Sequence, residues 1–222
     1  MIRFYHVTKR YDNRYPALQD ISLRVDKGEM VFLTGPTGAG KSTLLKLVFG
    51  AERADEGQIL VAGWDIARLK RKSFPFLRRN IGVVFQDYKL IPRRSVFDNV
   101  GLALRVSGVP AREIARRVDG VLAGVGLLNK RDNLPTHLSG GEQQRIAIAR
   151  ALVHEPTILL ADEPTGNLDP KTSWSIIDLF KDANARGTTV LIATHNREIV
   201  SSAHRRVIAL ETGHVVQGGE PE

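Results

Sequence analysis

Residues 35–42 form a glycine-rich stretch, Gly-Pro-Thr-Gly-Ala-Gly-Lys-Ser, that constrains the fold more than any other part of the sequence. It follows the apolar run Met30–Thr34, which is typical of a buried strand, and it precedes a helical pattern that ends near Gly50. In this order of strand, loop and helix, glycines let backbone N–H groups converge on phosphate oxygens, while the lysine adds a positive charge and the hydroxyl reaches magnesium. The stretch therefore predicts a phosphate-binding loop, which by itself fits a kinase, a GTPase or an ATPase.

The rest of the chain shows strand and helix patterns of an α/β domain. The segment from about 96 to 152 has mostly helical periodicity and is predicted to be an inserted helical subdomain. A further helix is predicted at 171–185, between two apolar runs, and this arrangement is a parallel β-α-β pattern. Besides Met30–Thr34, strands are predicted at 2–7, 21–25, 58–62, 81–85, 157–161 and 189–193.

Composition supports one folded domain in a reducing compartment. The chain has 222 residues, 42% of them hydrophobic and 25% charged, which is ordinary globular usage. It has no cysteine, so disulfides and thiolate metal sites are excluded and a cytosolic location is expected. The first residues have no apolar signal core and no cleavage site, so no export signal is expected, and the apolar runs are too short to cross a bilayer.

The basic residues raise the question of an anionic partner. Lys and Arg total 32 against 24 Asp and Glu, a net charge of +8. They recur in short clusters without a recognisable nucleic-acid-reading motif, so no nucleic acid is expected, and solvated surface is the first interpretation. The clusters between Arg68 and Arg94 are candidates for a position near an anionic membrane leaflet.

Two acidic residues at the end of an apolar run are candidates for phosphoryl-transfer chemistry. The run 158–161 is followed by Asp162 and Glu163. This chemistry needs a carboxylate for magnesium and a group that orients the attacking water. We expect Asp162 to hold the ion, directly or through water, and Glu163 to act as general base. An apolar strand that ends in acidic residues is common, and only the phosphate loop upstream favours the functional interpretation.

Segment 138–145, Leu-Ser-Gly-Gly-Glu-Gln-Gln-Arg, is predicted to begin a helix. Ser139 stands at the N-cap and Glu142 three residues later, so a capping box is expected. Gly140 and Gly141 leave backbone N–H groups uncovered at the positive end of the helix dipole. The segment is therefore either a plain helix cap or a second phosphate-binding surface.

Together with Gln86, Asn167-Leu168-Asp169 and His195, these segments follow the order found in ABC-type ATPases. The chain resembles that family over nearly its whole length. The resemblance implies an α/β P-loop NTPase fold of the ABC nucleotide-binding domain type, with a RecA-like core, an N-terminal antiparallel β subdomain and an inserted α-helical signature subdomain. It implies one domain over 1–222, with the core and β subdomain at about 1–86 and 153–215 and the helical subdomain at about 87–152. The tail at 216–222 has too little apolar content to pack and is expected to be mobile.

The resemblance also implies the ligands, ATP and Mg²⁺, and an ATP-dependent head-to-tail homodimer in which each ATP lies between two chains. Within one chain the expected ATP contacts are Tyr11, which stacks on adenine, and Gly35, Pro36, Thr37, Gly38, Ala39, Gly40, Lys41, Ser42 and Thr43. Across the dimer they are Ser139, Gly140, Gly141, Glu142 and Asp169. Magnesium is expected at Ser42, Gln86 and Asp162, and the catalytic residues are expected to be Lys41, Gln86, Glu163 and His195, the last at the γ-phosphate.

Three of these residues also have simpler interpretations. Tyr11 fits a half-exposed aromatic at the end of a strand, His195 a polar cap after a strand, and Gln86 the first residue of a loop. Their positions relative to the other motifs favour the roles that the resemblance implies.

Within the family, the chain resembles the FtsE type, which acts in bacterial cell division with the integral membrane protein FtsX. Ala39 and Leu45-Lys46-Leu47 favour this type over the ATPases of lipoprotein-release and macrolide-type exporters, which remain the alternative. The resemblance implies a peripheral position at the cytoplasmic face of the inner membrane, at the division site, with indirect control of cell-wall hydrolases. A DNA-acting ABC ATPase is not expected, because each motif occurs once and no long coiled coil accompanies it. The closer match is carried by 1–4, 32–35, 38–47, 76–79 and 84–87.

Overall fold

The structure is a computed structural model that describes residues 1–11 and 15–219. The strands within these residues are β1 (Ile2–Arg10), β2 (Pro16–Val25), β3 (Met30–Thr34), β4 (Glu56–Val61), β5 (Trp64–Asp65), β6 (Ile81–Val84), β7 (Ile158–Asp162), β8 (Thr189–Ala193), β9 (Arg206–Glu211) and β10 (His214–Gln217). The helices are α1 (Lys41–Val48), α2 (Phe74–Arg79), α3 (Val96–Val106), α4 (Ala111–Gly124), α5 (Gly140–Leu152), α6 (Pro170–Ala185) and α7 (Arg197–Ser202). Short 3-10 turns lie at Arg71–Ser73, Leu128–Lys130 and Pro135–His137.

Two sheets lie on either side of helix α1. The smaller sheet is antiparallel, in the order β2-β1-β4-β5, and the larger has the order β10-β9-β3-β8-β7-β6. All neighbouring pairs from β9 to β6 run parallel, and β10 is antiparallel to β9. Leu44, Leu45 and Leu47 of α1 are buried in a core that both sheets share. Because the parallel strands point the same way, the segments that follow β3, β6, β7 and β8 meet at one edge of the sheet.

The opposite face of the parallel sheet is covered by α5, α6 and α7. Phe32 and Leu159 from the sheet pack with Phe180 of α6 and Ile148 of α5 in a second core. Helices α3, α4 and α5 form a third core, in which Ile146 of α5 is fully buried. Helix α5 therefore packs in the cores of both the helical subdomain and the parallel sheet, and it connects the two.

Several predicted elements are confirmed with small differences at their ends. The strands at 30–34 and 189–193 have the predicted limits, and α3, α4 and α5 fill the predicted helical stretch. Strand β1 continues to Arg10, although its alternation stops at His6, where φ is 49° and the pairing with β2 shifts register. The short elements β5, α2 and α7 and the hairpin of β9 and β10 were not predicted, because they lack a clear period of two or of 3.6.

The prediction of a mobile tail from residue 216 is wrong for the first tail residues. Val216 and Gln217 belong to β10, and Gln217 pairs with Ala209. The Gly218 carbonyl accepts a hydrogen bond of 2.8 Å from the Arg206 guanidinium. Backbone pairing with β9 and the hydrogen bond from Arg206 stabilise this segment, which has few apolar contacts. The end of the predicted tail, residues 220–222, lies outside the described residues.

Among the residues that the structure describes, no helix combines the length and the apolar character needed to cross a membrane.

Candidate functional site

The loop of residues 35–42 connects β3 to α1 as predicted, and the Lys41 side chain folds back onto the start of the loop. Lys41 begins α1, and its Nζ donates hydrogen bonds to the carbonyl oxygens of Gly35, at 2.7 Å, and Pro36, at 3.1 Å. The side chain is 7% exposed. The ammonium group is therefore held close to the backbone of the loop, where it adds a fixed positive charge.

The loop also depends on its glycines for space. Gly35 has φ +145°, and a Cβ at this position would lie 2.2 Å from the carbonyl oxygen of Leu210 in β9. Gly38 has φ +83°, but nothing lies within 4 Å of a Cβ built on it. The start of the loop is therefore packed against the sheet, whereas its middle faces open space.

The two predicted carboxylates follow each other at the carboxyl end of β7, with different surroundings. Asp162 faces the start of α1, and one of its oxygens, Oδ1, is buried without a hydrogen-bond partner among the described residues. Burial raises the pKa of Asp162, and the neighbouring Ser42 hydroxyl partly opposes this shift. Glu163 adopts φ 46°, a left-handed conformation that is rare for a non-glycine residue. Such local strain is typical of functional sites.

Glu163 lies in a small cluster with Lys41 and His195. Its Oε1 is 2.9 Å from His195 Nδ1 and 3.7 Å from Lys41 Nζ. The backbone N–H of His195 also donates to Glu163 Oε2, at 3.3 Å. The glutamate is 11% exposed and the histidine 62%. Residues from three separate segments therefore fix the glutamate at the edge of the sheet, close to the lysine of the loop.

Gln86 and Tyr11 lie at two sides of the same region. A Cβ built on Gly166, in the turn that starts at Glu163, would lie 4.0 Å from Gln86 Nε2, so Gln86 reaches this turn. The Tyr11 hydroxyl is 3.4 Å from Thr43 Oγ1, and its ring is 55% exposed. Tyr11 therefore adjoins the start of α1, and Gln86 adjoins the turn that begins at Glu163.

The start of α5 has the predicted capping box. Ser139 Oγ accepts a hydrogen bond from the Glu142 N–H at 3.3 Å, and Glu142 Oε2 accepts one from the Ser139 N–H at 2.8 Å. The bond from the Ser139 backbone is the main cause that lowers the pKa of Glu142. The two glycines that follow remain next to this cap with no side chain to cover their backbone.

The same helix start packs against the segment that contains Asp169. A Cβ on Gly141 would lie 2.7 Å from Thr172 Cγ2, and a Cβ on Gly140 would lie 3.8 Å from the Leu168 side chain. Asp169 caps α6 and accepts a hydrogen bond from the Thr172 N–H at 3.0 Å. The residues that sequence reasoning assigned to the other half of a dimer thus form one continuous surface in this chain.

That surface is separate from the phosphate loop. No hydrogen bond or ion pair joins residues 139–142 or Asp169 to residues 35–43 within the part of the chain that the structure describes. The structure therefore groups the predicted site residues into two sets. One set is built around Lys41, Asp162 and Glu163, and the other around Ser139 and Asp169.

Sequence reasoning missed a link between these two sets, which Arg150 and Tyr88 form. Arg150, near the end of α5, donates hydrogen bonds to the carbonyl oxygens of Tyr88, at 2.7 Å, and Lys89, at 2.5 Å. Tyr88 and Lys89 follow Gln86 closely and have φ values of 58° and 48°. The Tyr88 hydroxyl would be 3.2 Å from a Cβ on Gly140. No sequence signal marks this contact, because neither left-handed residue is glycine or asparagine.

The residues present suit a nucleoside triphosphate and a magnesium ion. Magnesium binds hard oxygen ligands and commonly takes only one or two from carboxylates, with the others from phosphates and water. Ser42 and the unpartnered oxygen of Asp162 provide such ligands. Among residues 1–11 and 15–219, no cluster of three or more His, Asp or Glu side chains could hold an ion by itself. The phosphates of a bound nucleotide would supply further oxygen ligands beside Ser42 and Asp162.

Comparisons with known proteins agree with this geometry. A profile of the ABC transporter family matches residues 18–166. The cell division ATP-binding protein FtsE of Escherichia coli strain K12 is 51% identical, over 98% of each chain. FtsE of Streptococcus pneumoniae serotype 2 is 50% identical, over 98% of this chain and 94% of the relative.

Solved structures give the same result for the fold. The dimeric structure of MJ0796, a bacterial ABC transporter cassette, superposes with a TM-score of 0.90 at 36% identity, over 98% of this chain and 97% of the other. A dimeric post-hydrolysis state of the same cassette, bound to ADP and Pi, superposes with a TM-score of 0.89 at 33% identity, over the same shares of both chains. The predicted fold is confirmed, and the chain belongs to the ABC-type ATPases, in the group that contains the cell division ATP-binding proteins FtsE.

Proposed function

We propose that two copies of this chain enclose two ATP molecules, and that hydrolysis at these shared sites drives a membrane partner of the FtsX type in cell division. The observation that carries the proposal is the separation of the two residue sets. In the set around Lys41, Glu163 lies 3.7 Å from the lysine and 2.9 Å from His195, but the glycine-flanked start of α5 is not part of this set.

In the proposed site, Lys41 exchanges the carbonyl oxygens of Gly35 and Pro36 for phosphate oxygens. The N–H groups of residues 38–42 bind the phosphates from the side that faces open space. Tyr11 covers the adenine. A second chain then adds Ser139, the N–H groups of Gly140 and Gly141, and the Asp169 segment, which together close the site around the γ-phosphate.

Glu163 is proposed as the general base that takes a proton from the attacking water. His195 holds its carboxylate through Nδ1 and through its own N–H, and thereby fixes the direction in which the free lone pairs point. Ser42, Asp162 and Gln86 hold the magnesium ion, which neutralises phosphate charge when it is bound. Gln86 also lies at the start of the segment that Arg150 attaches to α5. Through this connection, nucleotide binding at the site can change the position of the helical subdomain.

A test of the shared site is to trap it before hydrolysis. In Glu163→Gln the carboxamide keeps the shape of the side chain but cannot accept the proton, so turnover should fall by at least about 100-fold while ATP still binds. We expect this variant to form an ATP-dependent dimer in light scattering with ATP and magnesium. Glu155→Gln, an exposed position on the opposite edge of the sheet, is the matched control and should behave as wild type. A Glu163→Gln chain that stays monomeric with ATP would contradict the shared site.

Mixing two inactive variants tests whether the two sets act between chains. Lys41→Ala removes the loop's charge, and Ser139→Phe blocks the helix start, so each homodimer has two defective sites. A mixed dimer has one site with both residues intact, and an equal mixture should recover up to about one quarter of wild-type hydrolysis. If both residues served the same site within one chain, mixing would restore nothing.

The role in division rests on the names of the relatives at about 50% identity. We propose a position at the cytoplasmic face of the inner membrane, where dimer closure signals through the partner to cell-wall hydrolases outside. Purification with the native membrane partner tests this role. A partner with few membrane spans and a large external loop, together with filamentation on depletion, supports the proposal, and isolation with a lipoprotein-handling complex contradicts it.

A further inference from the structure

A stretch that the nucleotide site does not use carries a strong positive charge. Within residues 67–79, which we call the basic segment, six of 13 residues are basic and none is acidic. The segment covers the 3-10 turn Arg71–Ser73 and helix α2. The six side chains are all exposed: Arg68, Lys70, Arg71, Lys72, Arg78 and Arg79.

Little of this charge is compensated within the chain. Arg68 is 3.4 Å from Asp65, a contact with an arginine that is 86% exposed. Arg78 donates to the carbonyl oxygens of Phe49 and Gly50 and not to a carboxylate. No ion pair joins Lys70, Arg71 or Lys72 to an acidic group in the ranges 1–11 and 15–219. The segment therefore presents a patch of free positive charge.

An exposed aromatic residue, Phe76, lies among the basic residues of this segment. Phe76 is 57% exposed, and the Arg79 guanidinium lies 5.3 Å from the centre of its ring. Its neighbours Phe74 and Leu77 are buried and fix α2 on the core, so the Phe76 ring is held outward. An exposed aromatic ring surrounded by lysine and arginine is the pattern of proteins that lie on an anionic membrane, because the ring enters the interface while the cations meet headgroups.

We propose that the basic segment is a lipid-binding surface, through which the chain itself contacts anionic phospholipid headgroups independently of nucleotide and of any protein partner. The free cations match the negative surface of the inner leaflet, and Phe76 provides a shallow apolar anchor. A nucleic-acid surface fits less well, since binding of single strands uses several aromatic rings along a groove, and this segment offers one ring on a short helix.

The test uses the full chain without nucleotide and vesicles of phosphatidylcholine, with or without 40% phosphatidylglycerol. Each basic side chain near an anionic leaflet raises partitioning by about fivefold, so replacing three should lower it on the order of 100-fold. The test variant is Lys70→Gln, Arg71→Gln, Lys72→Gln. The matched control removes the same charge at exposed positions elsewhere and should lose far less: Lys27→Gln, Arg112→Gln, Arg205→Gln.

The apolar anchor has its own variant and its own salt dependence. Phe76→Ser should lower partitioning several-fold and leave the thermal midpoint unchanged, since the ring contributes little to the core. Binding of the wild type should fall as NaCl is raised from 50 to 500 mM, because salt screens exposed charges over about 10 Å at 0.1 M. Equal binding to neutral vesicles, or equal losses in the test and control variants, would overturn the proposal. So would binding of a 30-nucleotide single strand in preference to the anionic vesicles.

A site-specific probe shows which face touches the bilayer. The chain contains no cysteine, so Ala67→Cys in the basic segment and Ser202→Cys in α7 each give a single labelling site. A polarity-sensitive dye at residue 67 should shift to the blue with anionic vesicles, and the same dye at 202 should not. The reverse result would place the membrane contact elsewhere. ATP hydrolysis by each variant, measured without lipid, should be unchanged, which separates this proposal from the proposed function.

Discussion

The phosphate loop and the start of α5 are both glycine-rich anion-binding segments, but the protein builds them in opposite ways. In the loop, Lys41 and Glu163 approach each other, and His195 adds a third contact, so side chains from three strand ends converge. At the start of α5, the side chains of Ser139 and Glu142 hydrogen-bond to each other's backbone, and Glu142 adds a 3.9 Å ion pair with Lys130. The phosphate loop is stabilised by contacts with several elements of the fold, whereas the start of α5 is stabilised mainly by its own residues.

The two segments also differ in how many contacts with neighbouring elements they need. The loop depends on its surroundings, because Gly35 leaves no room for a side chain next to Leu210 of β9, and Lys41 lies 3.7 Å from Glu163, which follows β7. The helix start needs only four consecutive residues and the neighbouring α6. A self-contained donor surface can be presented to another molecule without rearrangement, which is the property that a site shared between two chains requires.

The largest effect should come from the glycine that the sheet encloses. In Gly35→Ala, the new Cβ would overlap the Leu210 carbonyl at 2.2 Å, so we expect a loss of about 3–5 kcal/mol in unfolding free energy. Gly38→Ala is the control: it meets no atom within 4 Å and should cost only about 1 kcal/mol, for the positive φ. Denaturant unfolding measures both. Equal losses of unfolding free energy in the two variants would mean that the start of the loop is not tightly packed against Leu210.

The link between the two segments gives the next effect. Arg150→Ala leaves the carbonyl oxygens of Tyr88 and Lys89 without their donor, and we expect a loss of about 2–3 kcal/mol. Arg150→Lys keeps the charge and one hydrogen bond and should recover part of it. If Arg150 positions the Gln86 loop, the Lys variant should also lower the stimulation of ATP hydrolysis by the membrane partner more than the basal rate. A purely structural role would lower both equally.

The same contrast explains what the sequence could and could not predict. The loop, the capping box and the carboxylates after β7 are local patterns, each determined by fewer than ten consecutive residues, and the structure has them where they were expected. The contact of Arg150 with Tyr88 joins positions 62 apart. It also needs two left-handed residues for which Tyr-Lys carries no signal. Long-range contacts of this kind leave no period in the sequence.

The fold outside the motifs shows the same limit. Strands β3 and β8 each consist of four apolar residues and one threonine, a pattern typical of a buried parallel strand, and both were predicted with their limits. The hairpin of β9 and β10 was missed, because residues 207–210 are four consecutive apolar residues without alternation and only one residue of β10 is half-buried. A bond from the Arg206 side chain to the Gly218 carbonyl also stabilises it. Its position next to β3 matters for the site, since β9 provides the carbonyl that restricts Gly35.

At the helix start the expected effect is smaller and local. Ser139→Ala removes the hydroxyl that accepts from the Glu142 N–H, and a lost N-cap costs about 1 kcal/mol. Ser95→Ala is a matched control, because Ser95 caps α3 with the same geometry, accepting from the Asp98 N–H at 3.1 Å. Both should lose similar stability, but only Ser139→Ala should lower ATP hydrolysis. Similar rates of ATP hydrolysis in the two variants would mean that Ser139 only caps α5 and has no part in the nucleotide site.

The smallest effect should come from the charge of the capping box. Glu142→Gln can still accept from the Ser139 N–H, but it loses the negative charge beside the helix N-terminus, which is worth roughly 0.3–1 kcal/mol. The pKa of Glu142 lies below its usual value in the folded chain, so its charge stabilises the fold above about pH 4.5 and ceases to do so as the pH falls through the lowered pKa. The difference in unfolding free energy between wild type and Glu142→Gln should therefore be constant from pH 8 to 6 and shrink toward zero in acid. A difference that persists at pH 2 would mean that Glu142 acts through packing and not through its charge, and the helix start would then depend on its surroundings as the loop does.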